Sequence, residues 1–147
     1  MEAALADSNI LLRLAQPAHA EHSVTAAAVR KLIRQGFDLC VVPQNLVEFW
    51  AVATRPSASR GGLGMKLDAV DRELNRLRSL FHLLEGAAGI ADSWQRLVTQ
   101  YQVSGKQVHD AHLVAAMQVY GVRTILTFNG DDFRRYPGIT VVNPASV

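Results

Sequence analysis

The chain has 147 residues, 49% of them hydrophobic and 19% charged, with a single cysteine and a net charge of +2 at pH 7. That length matches one domain able to bury a core without disulfides, and the composition excludes a disordered or collagen-like polymer. The mild positive balance does not by itself mark a nucleic-acid binder.

No basic leader opens the sequence, and charges interrupt every apolar run before it reaches the ~18 residues of a membrane span, so export and membrane insertion are not expected. Residues 3–6 read as a short apolar strand ending at Asp7, after which Ile10, Leu11 and Leu14 recur at helical spacing. Residues 21–35 read as a helix stopped by Gly36 and residues 38–42 as a strand; Pro43 then opens a helix that runs through Thr54 and closes before Pro56. Cys40 sits in the apolar run Leu39-Cys40-Val41-Val42 and reads as a small buried hydrophobe, which fits a reducing cytoplasmic home. Residues 56–64, rich in Gly and Ser, form a flexible internal loop. Leu67, Val70, Leu74, Leu77 and Leu80 mark an amphipathic helix, followed by a short strand over residues 81–84. Residues 90–101 are helical, residues 108–120 form a strongly apolar helix capped by Gly121, and residues 124–126 and 140–142 make two further strands. This alternation predicts an α/β fold, a parallel sheet sandwiched by helices, with residues 1–147 as one domain. Small basic groups such as Arg72, Arg76 and Arg78 read as solvated helix faces.

Ligands of an open parallel sheet bind outside the carboxyl ends of its strands, where the crossover helices also begin. Asp7 ends the first strand, Glu48 lies in the helix after the second, Asp110 is in the first turn of its helix, and Asn129, Asp131 and Asp132 follow the fourth strand. Acids from four distant segments therefore meet at one mouth. Each has a structural role open to it as well: Asp7 could cap a helix, Asn45 and Glu48 have capping-box spacing, Asp110 could favour a helix dipole, and Asn129 and Asp132 again stand three apart. Crowded carboxylates repel and hold their protons unless a cation neutralises them. An all-oxygen donor set without cysteine selects a hard ion, Mg2+ or Mn2+, and phosphodiester hydrolysis by activated water is the chemistry such a site performs.

Four segments together resemble the PIN-domain family, and in particular the VapC-like toxin ribonucleases of toxin–antitoxin pairs: Ala6-Asp7-Ser8-Asn9-Ile10-Leu11, Asn45-Leu46-Val47-Glu48-Phe49, His109-Asp110-Ala111-His112, and Ile125-Leu126-Thr127-Phe128-Asn129-Gly130-Asp131-Asp132. The resemblance spans nearly the whole chain. It implies a three-layer α/β/α fold around a mostly parallel five-stranded sheet, Mg2+-dependent endoribonuclease activity in the cytoplasm, a homodimer and a cognate antitoxin. The family's first three acids fall on Asp7, Glu48 and Asp110. Its fourth falls on Asn129, so that metal-binding role passes to Asp132 or Asp131, or Asn129 positions a water. Thr127 and Asn9 look like hydrogen-bonding neighbours that orient the acids.

Other chemistries fit less well. A haloacid-dehalogenase-like phosphatase needs a second aspartate where this chain has Asn9. A zinc hydrolase using His109 and His112 would require four-residue rather than three-residue spacing, so His112 reads as a core or interface residue, while His109 either approaches RNA phosphate or packs at the surface. The remaining alternative is a non-catalytic module of the same fold that binds RNA or an antitoxin-like partner without turnover.

Overall fold

In the computed structural model, which describes residues 1–147, the strands are β1 (Glu2–Ala6), β2 (Phe37–Val41), β3 (His82–Leu83), β4 (Thr124–Leu126) and β5 (Thr140–Val142). The helices are α1 (Ser8–Leu14), α2 (His22–Arg34), α3 (Pro43–Thr54), α4 (Leu67–Leu80), α5 (Ile90–Gln100) and α6 (Gln107–Tyr120). Two short 3-10 turns, Gly130–Phe133 and Pro144–Ser146, complete the chain. The strands form one sheet in the order β3-β2-β1-β4-β5, and every neighbouring pair is parallel. The mostly parallel sheet expected from the sequence is therefore wholly parallel.

Chirality dictates the layering. Strand–helix–strand crossovers are right-handed, so a chain stepping outward from β1 to β2 to β3 lays its helices on one face, and the return step across the sheet to β4 lays them on the other. The cores follow that rule. Ala4, Ala6, Leu39, Val41 and Leu126 point to the face covered by α1 to α4, where Ile10, Leu32, Phe49 and Leu77 are buried. Leu5, Cys40 and Ile125 point to the opposite face, against Leu97, Leu113, Val114 and Met117 from α5 and α6. Alternate residues of β1, β2 and β4 thus serve separate cores, and strands buried on both faces read as continuous apolar runs.

The punctuation works as local chemistry requires. Pro43 is the first residue of α3, where its missing N–H costs nothing, and Gly121 ends α6 at φ 71°. The loop over residues 56–64 is tied down more than its composition implies: the backbone N–H groups of Leu63, Gly64 and Met65 donate to the carbonyls of Val52, Arg55 and Ala53 at the end of α3. Cys40 is fully buried, and burial pushes its thiol up to about 12, so it packs as a hydrophobe. No helix of the chain is long and apolar enough to cross a membrane.

Candidate active site

The sheet order reverses between β1 and β4, and at such a switch point the crossovers leave in opposite directions and open a crevice at the carboxyl edge. Asp7 stands at that point. Its N–H donates to the Leu126 carbonyl at 3.0 Å, continuing the β1–β4 ladder, and its side chain is the N-cap of α1, accepting from the Ser8 N–H at 2.7 Å. The capping and functional readings therefore describe the same carboxylate. The other oxygen, Oδ2, accepts from the Thr127 hydroxyl at 2.8 Å and from Asn9 Nδ2 at 3.4 Å. Thr127 is fully buried and its hydroxyl also accepts from Asn9 Nδ2 and from the Asn129 N–H, so its one donor and both lone pairs are used. Asn9 and Thr127 both donate to the same oxygen of Asp7. Asn9 further accepts from the Phe128 N–H, which clips the end of β4 to α1.

Glu48 lies just over one turn into α3 and is held by both oxygens: Oε1 accepts from the Ser8 hydroxyl at 2.6 Å and Oε2 from Gln44 Nε2 at 3.2 Å. Half a capping box forms, three residues upstream of the pair the sequence spacing offered, because Val42 at the N-cap has no side-chain acceptor. Asn45 caps backward onto Val42, accepting its N–H at 2.8 Å, and donates to Ser8 Oγ, which leaves Glu48 free to face the crevice.

Asp110 occupies the first turn of α6, where the helix dipole favours an anion. Burial, then the charges of Asp132, Asp7 and Glu48, push its carboxyl up to about 7, with Arg135 opposing. Asp7 is pushed up to about 6, chiefly by burial, with Glu48 and Asp132 adding to the rise and the hydrogen bonds from Thr127 and Ser8 restraining it. None of Asp7, Glu48, Asp110 and Asp132 takes part in an ion pair. Asp7 and Asp110 hold their protons more tightly beside the unpaired carboxylates of Glu48 and Asp132, an electrostatic pattern that an added positive charge would relieve.

A cavity of about 340 Å³ is lined by Asp7, Asn9, Glu48, Arg55, Asp110 and Asn129. Asp132 borders the adjoining groove of about 740 Å³, which shares Asn129 as a wall. The two acids that sequence spacing left undecided are separated by the 3-10 turn: Asp131 points outward into an ion pair with Arg134, while Asp132 acts on Asp7 and Asp110. Gly130 permits this close docking, since a Cβ there would stand 2.7 Å from Val141 Cγ1. The side chain of His109 is exposed and only its carbonyl joins the network, accepting from Gln44 Nε2 at 2.8 Å. No three Asp, Glu, His or Cys side chains converge closely enough to form a ready-made metal cage. The donors nevertheless fit a hard divalent ion that keeps several waters and takes only one or two carboxylates directly.

Ser8 and Gln44 were not singled out from the sequence, although Ser8 stands between Asp7 and Asn9, and Gln44 precedes Glu48 by one helical turn. His112 is half-buried and bonds Gln44 Oε1 through Nδ1 at 2.6 Å, a polar role beyond the core or interface packing read from its helix.

The Thr127 hydroxyl offers a direct test. In Thr127→Val the shape is kept while Asp7 loses a donor and two N–H groups lose an acceptor, which costs ~1–3 kcal/mol. At ~2–4 °C per kcal/mol for a chain of this size, thermal unfolding followed by circular dichroism should show Tm lower by about 5 °C. An unchanged Tm would mean the hydroxyl merely finishes its strand.

A family model described as PIN domain matches residues 4–139. No curated protein matches the chain. Among solved structures, a chain of VapBC2 from Rickettsia felis, bound to a promoter DNA fragment, superposes with TM-score 0.70 at 16% identity, over 96% of this chain and 98% of the other. VapBC-1 from nontypeable Haemophilus influenzae gives 0.69 at 12% identity over 97% and 98%. Mycobacterium tuberculosis VapC20, a sarcin-ricin loop cleaving toxin, gives 0.59 at 17% identity over 89% and 93%. At these identities the likeness is one of fold.

Proposed function

The chain belongs to the PIN domain family, and we propose that it is a metal-dependent endoribonuclease, the toxin of a toxin–antitoxin pair. One observation carries the reading: Asp7, Glu48 and Asp110 line one crevice, Asp132 acts on it from the adjoining groove, and none of these four acids from distant segments is in an ion pair. One or two of Asp7, Glu48 and Asp110 would hold Mg2+ or Mn2+ directly and the remainder through its waters, with Asp132 taking the fourth acidic position and Asn129 holding water. A bound ion of this kind supplies a Lewis acid that activates water at neutral pH and stabilises the leaving oxygen.

The chain's own residues do the rest. Thr127 and Asn9 fix Asp7, and Ser8 and Gln44 fix both oxygens of Glu48, so the donors need no reorganisation when substrate arrives. Arg55, at the cavity wall, presents a guanidinium to an RNA phosphate. Water attacks phosphorus, the bond to the 3′ oxygen breaks and that oxygen takes up a proton, leaving a 5′-phosphate end. RNA is the substrate, an antitoxin protein and a second copy of the chain are the partners, and the cytoplasm is the site of action. The fold shared with VapBC chains supports the antitoxin assignment.

The test is cleavage of total RNA by purified protein with Mg2+, Mn2+ or chelator. New 5′-phosphate ends should appear only with metal. Loading should also stabilise the fold: at ten times Kd the gain is ~1.4 kcal/mol, raising Tm by about 5 °C at pH 8. That gain should shrink below pH 6, where protons compete for Asp7 and Asp110. RNA binding without metal-dependent cleavage would identify instead a binding module, the reading that Asn129 at an otherwise acidic position favours.

A further inference from the structure

Gln44 links two functional segments through a single amide. Its Nε2 lies 3.2 Å from Glu48 Oε2 and 2.8 Å from the His109 carbonyl, in the turn of α6 that carries Asp110. A carbonyl can only accept, so the amide must present its NH2 end there and its oxygen to His112 Nδ1, 2.6 Å away. His112 must then carry its proton on Nδ1. The ring is steadied by Trp94, whose centroid is 6.4 Å off and whose indole N–H donates to the Val108 carbonyl in the same turn. Gln44 and His112 also line a cavity of about 250 Å³. Packing does not enclose them on that side, and the hydrogen bonds set their orientation.

We infer that His112 and Gln44 are positioning residues for Glu48 and Asp110: Gln44 ties the Glu48 carboxylate to the turn bearing Asp110, and the His112 Nδ1–H anchors the oxygen end of that amide. The functional half of this inference rests on the metal-site reading above; the hydrogen-bond chain does not. Reversal of the amide would aim an oxygen at both the Glu48 carboxylate and the His109 carbonyl, so those two acceptors set which way round it sits, and the imidazole, two hydrogen bonds from the site, fixes where it sits. Supporting groups of this kind alter metal affinity by ~10–100-fold when removed.

Two measurements decide it. Long-range 1H–15N correlation on the full-length wild type should show the Nδ1–H tautomer of His112, and Gln44→Met should lose that fixed tautomer. Mn2+ titration followed by electron paramagnetic resonance should show affinity lowered about tenfold in Gln44→Met and in His112→Phe, with the double variant no worse than either. His112→Asn, whose amide nitrogen can stand in for Nδ1–H, should stay within about threefold of wild type. An Nε2–H tautomer in wild type, or equal weakening by His112→Asn and His112→Phe, would overturn the inference. Failure of wild type to bind Mn2+ would remove the metal-site reading and the positioning role with it, while the tautomer still reports on the hydrogen-bond chain. If His112→Phe does not fold, the wild-type tautomer and the Gln44→Met response remain decisive.

Discussion

Asp110→Asn should lower RNA cleavage about a thousandfold, equivalent to ~4 kcal/mol of barrier, and at the same time raise the Tm of the metal-free protein at pH 8. The two effects have one cause. Asp110 holds its proton up to about 7 and Asp7 up to about 6, against 3.8 for a free carboxyl, so between about pH 4 and 7 the folded chain binds more protons than the unfolded chain. Stability of the metal-free protein therefore falls as pH rises through that window and levels off above it. Asn removes the ionisation that costs stability and also the charge that would bind the ion. The gain in Tm should be smaller at pH 5 than at pH 8 and vanish only below about pH 4, where Asp110 is neutral in both the folded and the unfolded chain, and the pH dependence in between should flatten. Thermal melts at pH 5 and pH 8 with chelator, alongside a cleavage assay, check both halves. A variant that is inactive yet less stable than wild type at pH 8 would show that Asp110 is a structural anion.

Phe49→Ala should give the largest loss of stability, ~3–5 kcal/mol. Phe49 is fully buried in the core between the sheet and α1 to α4, and it follows Glu48 directly on α3. Its ring fixes how deep the helix sits, and neighbouring side chains can fill the space only in part. In urea the midpoint should move down with an unchanged slope, because the surface exposed on unfolding is nearly the same. Activity should fall in the folded fraction too, since a shift of ~1 Å in a positioned group can cost 10²-fold in rate. A loss below 1 kcal/mol would mean that α3 resettles freely.

Much of this architecture is legible in the sequence because its boundaries are set by local chemistry. Pro43 opens α3 and Gly121 closes α6 where they were expected, and the apolar runs of β1, β2 and β4 announce strands covered on both faces. Asp7, Glu48 and Asp110 could be brought together by one topological rule, the common carboxyl edge of parallel strands. What escaped detection depends on geometry that no local pattern encodes. Asp131 and Asp132 are adjacent acids, and only the 3-10 turn seated on β5 through Gly130 sends one outward to Arg134 and the other toward Asp7. His112 meets Gln44 across 68 residues, on a helix whose other buried positions are apolar, so nothing near it in the chain signals a polar partner. Strand order was open as well, because alternating strands and helices fit several parallel sheets.

The strand order also has a consequence for synthesis. Asp7 and Glu48 precede by many residues Thr127, the only side chain besides Asn9 that braces the outer oxygen of Asp7, which belongs to the end of β4, and Asp132 comes later still. Until β4 zips onto β1, a nascent chain lacks one side of its crevice, and pairings between such remote segments form slowly. The crevice is therefore complete only once residues 124–132 have joined the segments that precede them in the chain.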